Sequence, residues 1–355
     1  MENEKKHIEI SGRKIGEGFP VFIIAEVAQA HDGSLGMAHA YIDAAAKAGV
    51  DAVKFQTHIA EAESTREESF RVKVFPQDKS RYEYWKRMEF SEDQWRELSE
   101  HAHDSGLLFL STPFSVDAVN LLEKLSVPAW KIGSGEINNP QLLSEIVKTN
   151  KPILLSTGMS HWSEITEAVE RITASGTEFA LMQCTSKYPT HLKDVGLNVL
   201  QELRERYDVV VGLSDHSGTI FPALAAMATT ASIIEVHVVF SKEMFGPDVS
   251  SSVNMEELSL ISEARDAFFE MKMNPVDKDV LGRELNPMRE MFNKSVSARF
   301  DIPKGAVLTR DMLTVKKPGI GIPAGKLDEC IGRRTTRYVS SDRVMVWDDI
   351  EESNE

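Results

Sequence analysis

The chain is poor in cysteine: its 355 residues hold two, Cys184 and Cys330, far apart and outside any Cys-x-x-Cys pair. That argues against a disulfide scaffold and for a reducing compartment. It also lacks a basic surface. Lysine and arginine number 40 against 55 acids, a formal net charge of −15, so no basic stripe can displace counterions and no nucleic acid is expected as a partner. A small anion is still admissible, because a few lysines can make a positive pocket inside an acidic protein. No apolar run reaches the ~18 residues that cross a bilayer. Residues 1–7, Met-Glu-Asn-Glu-Lys-Lys-His, carry charge where a secretion signal would be apolar. No membrane association is expected, and a cytoplasmic location is.

What remains is an ordinary soluble composition, 42% apolar and 27% charged, on a chain long enough for one barrel of roughly 250 residues and a small module. A short hairpin is expected first, His7-Ile-Glu-Ile and Lys14-Ile-Gly around the turn Ser11-Gly-Arg. Eight short apolar runs follow, at residues 21–28, 52–57, 107–114, 129–135, 152–158, 179–186, 209–217 and 232–240. Such runs suit strands buried on both faces. Helical patterns lie between them, among them 37–48, 92–105, 163–174 and 255–271, with start signals at Ser91, Ser163 and Asn254. Eight strand–helix units predict an α/β fold, a parallel (β/α)8 TIM barrel with an N-terminal hairpin. Residues 58–90 form a long charged and aromatic insertion after the second strand, read as substrate entrance or subunit contact. The barrel domain is expected to span 1–273 and a weakly helical linker 274–292. A second domain of short strand-like pieces then covers 293–355, with a helical start at Leu308 and fraying over 351–355.

Nearly all the strand candidates end in polar residues, as catalytic barrels do. Lys54 and Lys131 sit inside apolar strands, where a lysine is costly without a negative partner. Two of them at one barrel mouth suggest a bound dianion, with the hydroxylated turns Gly133-Ser-Gly, Leu155-Ser-Thr-Gly and Leu213-Ser-Asp-His as donors. The alternative is that each lysine is half of a structural ion pair. His216 and His237, one unit apart, are within reach of a single Mn²⁺, Fe²⁺ or Zn²⁺ with open positions for water and substrate; hydrogen-bonded core histidines are the alternative. Glu235 is placed behind them, orienting a bound water or the second histidine. Glu26, Glu136 and Asp248 can move protons or grip hydroxyls, or cap helices instead. Cys184 reads as a small buried strand residue rather than a nucleophile.

Taken in order, Ile23-Ile-Ala-Glu, Val53-Lys-Phe-Gln-Thr, Ser111-Thr-Pro-Phe, Lys131-Ile-Gly-Ser-Gly-Glu, Leu155-Ser-Thr-Gly-Met, Cys184-Thr-Ser-Lys-Tyr-Pro-Thr, Gly212-Leu-Ser-Asp-His-Ser and Gly246-Pro-Asp resemble the sialic acid synthases, relatives of which make legionaminic and pseudaminic acids. The tail from Lys294 through Gly319 resembles their antifreeze-like (SAF, β-clip-like) domain. The resemblance implies a metal-dependent condensation of phosphoenolpyruvate with the open-chain aldehyde of a 2-acetamido sugar. It implies that Lys54, Thr112, Lys131, Ser134, Ser156, Ser186 and Ser214 hold phosphoenolpyruvate, and that His216 and His237 bind Mn²⁺ or Mg²⁺. Glu26 or Glu136 would manage protons, and Gln56, Tyr188 and Asp248 would contact the sugar. It also implies a domain-swapped homodimer. Two positions depart from bacterial members: Lys317, expected to contact the sugar's N-acetyl group, stands where arginine is common, and Ser186 stands where some carry asparagine. A lysine Schiff-base aldolase on the same barrel, using Lys131 or Lys54, is the rival reading.

Overall fold

The protein, a computed structural model, is described over residues 6–352; most of the expected fraying at 351–355 falls outside the described residues. Two compact units divide between Met273 and Asn274.

The first unit opens on an antiparallel hairpin, β1 (His7–Ile10) and β2 (Arg13–Gly16). Ser11 and Gly12 both take positive φ, 49° and 78°, the two-residue turn whose twist matches a hairpin. Eight parallel strands follow: β3 (Phe22–Ala28), β4 (Ala52–Thr57), β5 (Leu108–Pro113), β6 (Trp130–Ile132), β7 (Ile153–Ser156), β8 (Phe179–Cys184), β9 (Val210–Asp215) and β10 (Ile233–Val239). Their ladder runs β5-β4-β3-β10-β9-β8-β7-β6, an eight-stranded barrel that is nearly closed, with its one unladdered seam between β5 and β6. A three-residue strand, β11 (Ser252–Asn254), adds to β10 from outside.

Side chains alternate across each strand, and that alternation makes two cores. Outward residues such as Ile23, Val53, Phe55, Phe109, Trp130, Leu155, Leu213 and Val236 pack on the helices. Inward residues at the amino-terminal ends, including Ile24, Ala52, Leu110, Leu154, Met182 and Ile233, form a separate apolar cluster with Ile8, Ile10 and Ile15 of the hairpin. The hairpin therefore floors the barrel. One or two steps further along the same strands the inward positions turn polar: Glu26, Lys54, Gln56, Thr112, Lys131, Ser156, Ser214, Glu235 and His237. Helix starts are ordinary. Ser91 makes a capping box with Gln94, and Asn254 exchanges hydrogen bonds with Glu257. Ser163 does not start its helix; the helix runs Trp162–Ser175 from His161, whose N–H donates to Glu164. The insertion condenses into two short helices, Ala60–Glu63 and Arg81–Met88, with Tyr84, Trp85 and Met88 buried in a small cluster of their own. No helix among the described residues is long and apolar enough to cross a membrane.

The second unit begins with two short helices, Lys278–Glu284 and Asn286–Phe292. Beyond them β12 (Ser295–Ala298) and β13 (Leu313–Lys316) pair antiparallel, and isolated bridges such as Ser297 to Val344 and Ile302 to Val339 knit the rest. Leu308 starts no α-helix; a single 3₁₀ turn, Arg310–Met312, stands there. Val296, Ile302, Leu308, Leu313, Val339 and Met345 make its core. Asp349 is fully buried in this unit. Its carboxylate accepts from Arg337 Nε at 2.5 Å, from both Arg343 Nη atoms at 2.6 and 2.8 Å, and from the Val346 N–H at 2.8 Å. Burial alone would raise its pKa, but Arg343, the Val346 N–H and Arg337 outweigh it and hold the carboxyl at about 2.

Candidate active site

The polar inward positions open into a cavity of about 500 Å³. Every barrel residue expected at the site lines it: Glu26, Lys54, Gln56, Thr112, Lys131, Ser134, Glu136, Ser156, Ser186, Tyr188, Ser214, His216, His237 and Asp248. Lys317 belongs to the second unit, where its Nζ lies 5.1 Å from the centre of the Phe292 ring.

The two lysines are buried and share one carboxylate. Glu235 Oε1 lies 3.3 Å from Lys131 Nζ and 3.6 Å from Lys54 Nζ, and accepts from Ser214 Oγ at 3.1 Å. Glu235 thus bridges the lysines instead of backing a histidine. Lys54 also meets Glu26 Oε2 at 2.6 Å and donates to Thr112 Oγ1 at 3.1 Å, while Lys131 donates to Ser156 Oγ at 2.6 Å. Burial opposes the charge on each group, yet the outcomes differ. Glu235, between Lys131 and Lys54, is held down at about 2. Lys54 is raised by Glu235 and Glu26. Glu26, where burial outweighs Lys54, rises to about 7. One oxygen of Glu235, Oε2, is buried and accepts no hydrogen bond, so the cluster has capacity left over for something else.

The imidazoles of His216 and His237 face each other with ring centres 5.1 Å apart. His216 Nδ1 lies 3.0 Å from the Thr185 carbonyl oxygen, so Nδ1–H donates there and Nε2 is the nitrogen left for a ligand. Burial, then the neighbouring His216, pushes His237 well below the usual histidine range, leaving it neutral. His216 goes the other way: burial would lower it, but Cys184 and the Thr185 carbonyl raise it above the usual histidine range, so a metal on its Nε2 would take the place of a proton. That Nε2 and the neutral His237 on the adjacent strand fit a divalent ion, and the unpartnered Glu235 oxygen is an acceptor for a water such an ion would carry. Among the described residues no three His, Cys, Asp or Glu side chains converge on a point, so a metal here would owe its remaining positions to water and substrate. Cys184 is buried, its Sγ 3.8 Å from His216 Nδ1.

Two features close the walls. Gly158 donates its N–H to Ser134 Oγ at 3.0 Å, and a Cβ there would lie 2.5 Å from Ser186 Oγ, so only glycine lets these turns converge. Above, Tyr188 stacks on His216 at 4.2 Å, and the Arg71 guanidinium sits 4.0 Å from the Tyr188 ring centre while pairing with Asp248. Arg71, Tyr84 and Trp85 come from the insertion, which the sequence marked only as a region. Charge and aromatics in a long strand-end loop were the available signal.

A NeuB family model matches residues 41–274, and a SAF domain model matches 293–351. The chain belongs to the NeuB family. It is similar to the N,N'-diacetyllegionaminic acid synthase of Campylobacter jejuni, 33% identical over 91% of this chain and 98% of that one. It is 35% identical to the human N-acetylneuraminate-9-phosphate synthase, over 94% of each chain. The solved N-acetylneuraminic acid synthetase of Leptospira borgpetersenii, in complex with citrate, superposes with a TM-score of 0.71 at 31% identity, covering 81% of this chain and 99% of that one. As a NeuB-type synthase, the protein is an enzyme that condenses phosphoenolpyruvate with an amino sugar to form a nonulosonate.

Proposed function

We propose that the acceptor is the open-chain aldehyde of a 2-acetamido hexose, N-acetylmannosamine or a 2,4-diacetamido analogue, and that the products are a nine-carbon sialic-type acid and phosphate. The observation that carries this reading is the pair of buried ammonium groups beside two facing imidazoles in one cavity. Lys54 and Lys131, with Thr112, Ser134, Ser156, Ser186 and Ser214, would seat the anionic groups of phosphoenolpyruvate. Glu235 stays ionised and keeps both ammoniums aimed at that seat. C3 of the enol forms the new bond to the aldehyde carbon, whose oxygen takes a proton. Water then adds at C2, and the resulting phosphorylated hemiketal releases phosphate. Glu26, with a pKa near neutrality, suits the proton transfers at C2, and Glu136, raised by burial, is the second candidate. Gln56, Tyr188 and Asp248 would contact the sugar. His216 and His237 would hold a divalent ion, Mn²⁺ or Mg²⁺, which when bound polarises the aldehyde carbonyl as a Lewis acid.

The Schiff-base rival asks for a lysine that readily becomes a free amine. Lys54 is held in the opposite state by Glu235 and Glu26. The homodimer and a role for Lys317 rest on the resemblance alone. Sedimentation tests the first, and Lys317→Ala kinetics the second.

Phosphate release from phosphoenolpyruvate, measured across candidate amino sugars with Mn²⁺ and with EDTA, tests the whole reading. Release requiring both one sugar and the metal is expected. Sugar-dependent release that ignores EDTA would overturn the metal role of the two histidines.

A further inference from the structure

A line of hydrogen bonds runs along the cavity wall from Glu26 into the insertion. Glu26 Oε1 accepts from Gln56 Nε2 at 2.8 Å. Gln56 Oε1 accepts from Gln29 Nε2 at 2.5 Å. The same Gln29 amide nitrogen lies 2.9 Å from His58 Nε2, and His58 Nδ1 lies 2.6 Å from Glu63 Oε1. Glu63 is itself fixed, its Oε2 accepting the Ile59 N–H at 3.2 Å. The His58 ring is clamped between Trp85, 3.8 Å away and tilted by 14°, and Phe114, 4.5 Å away and tilted by 9°.

The chemistry of each group orders this chain. Glu63 as a carboxylate is an acceptor only, so the His58 proton belongs on Nδ1. Nε2 is then a lone pair, and it takes one N–H of Gln29. The other N–H of Gln29 goes to Gln56 Oε1, which turns the Gln56 amide nitrogen toward Glu26. The opposite tautomer gains only a 3.3 Å contact from Nε2–H to Gln56 Oε1. It sets two donors face to face at the Gln29 contact and two acceptors face to face at the Glu63 contact, the two shorter approaches. The clamp stops the ring from turning to escape them.

We infer that His58 and Glu63 are positioning residues for the condensation: the Nδ1–H tautomer of His58, set by Glu63, dictates through Gln29 which way the Gln56 amide points, and so presents an N–H donor to Glu26. This deepens the reading of the site given above, since it depends on Gln56 contacting the sugar and on Glu26 moving protons beside it. It also gives the insertion a part in the chemistry. An amide that could turn freely would spend part of its time offering its carbonyl to a carboxylate, which repels it.

The test has two arms. Histidine ¹⁵N spectra of the full-length enzyme, assigned by comparison with His58→Phe, report the tautomer directly and do not depend on turnover. A protonated Nδ1 with a lone-pair Nε2 is expected, and Glu63→Gln should shift the ring toward the Nε2–H form. An Nε2–H ring in the unaltered protein would overturn the inference even if the condensation reading stands. In the kinetic arm, His58→Phe keeps the ring stack and removes both nitrogens. It should lower kcat/KM for the amino sugar by about tenfold, the scale of one charge-assisted hydrogen bond, with KM for phosphoenolpyruvate within about twofold. His58→Phe kinetics equal to those of the parent enzyme would overturn it. So would an equal loss in both substrates, which marks general damage. Failure of every sugar to turn over sinks the site reading instead, and leaves the spectra to decide the tautomer.

Discussion

Two buried carboxylates in this protein are held near pKa 2 by two cations each, and they do opposite work. In the small unit Asp349 spreads four hydrogen bonds over both oxygens, three from arginine forks and one from the chain itself. In the barrel Glu235 loads both lysines and a serine onto one oxygen and leaves the other bare beside a cavity. Arginine satisfies a carboxylate bidentately and ends the matter; lysine is a point charge that can be shared with a third party. Saturation marks a structural cluster, and spare capacity marks a site.

The largest effect should come from removing a cation on the spare side. Lys131→Ala leaves Glu235 with half its compensation and the proposed phosphoenolpyruvate seat without a principal charge; phosphate release should fall by on the order of a thousandfold or more. His216→Ala combined with His237→Ala should abolish Mn²⁺ binding by calorimetry while the fold survives, because neither ring is part of an apolar core. On the saturated side, Asp349→Asn should cost about 1–2 kcal/mol in chemical unfolding of the small unit, since charge-assisted hydrogen bonds are lost but both arginines are part exposed and keep their hydration.

Acidity separates the carboxylates further. The depressed Asp349 and Glu235 stabilise the fold above the unfolded carboxyl range, and that contribution drains away as pH falls from about 4 through 2. Glu26 runs the other way. Its raised pKa means that the folded protein holds a proton the unfolded chain has released, so its contribution is full below about 4.5 and is lost as pH rises through 7. Subtracting the stability–pH curve of Glu26→Gln from that of the unaltered enzyme should leave a difference that falls between pH 5 and 7. A flat difference would remove Glu26 from the proton-transfer role. The smallest effect is expected from Arg71→Ala, a few-fold rise in KM for the sugar, since Arg71 orders Asp248 and Tyr188 from a half-exposed position.

Much of this was legible beforehand, for a definite reason. Strands such as Ala52–Thr57 are short apolar runs between helical patterns, and their carboxyl ends bear the polar residues, so reading strand ends finds Lys54, Lys131, His216 and His237, all of which line the cavity. What stayed hidden depends on partners brought together by closure of the barrel. Glu235 lies 104 residues from Lys131 and 181 from Lys54 in sequence, and nothing in its local context says that it bridges them. His58, Glu63 and Arg71 sit in a segment without helix or strand period, where no pattern says which way a side chain points. Their roles come from contacts such as Arg71 with Asp248, 177 residues apart.

The hairpin floor has a kinetic meaning. With Ile8, Ile10 and Ile15 sealing the far end, the barrel is a vessel with one opening. On the proposed assignment, whatever rests on the two lysines must be loaded before whatever rests on Asp248, and cannot leave past it. Traffic through one door imposes a queue, so initial-rate patterns should show phosphoenolpyruvate binding first.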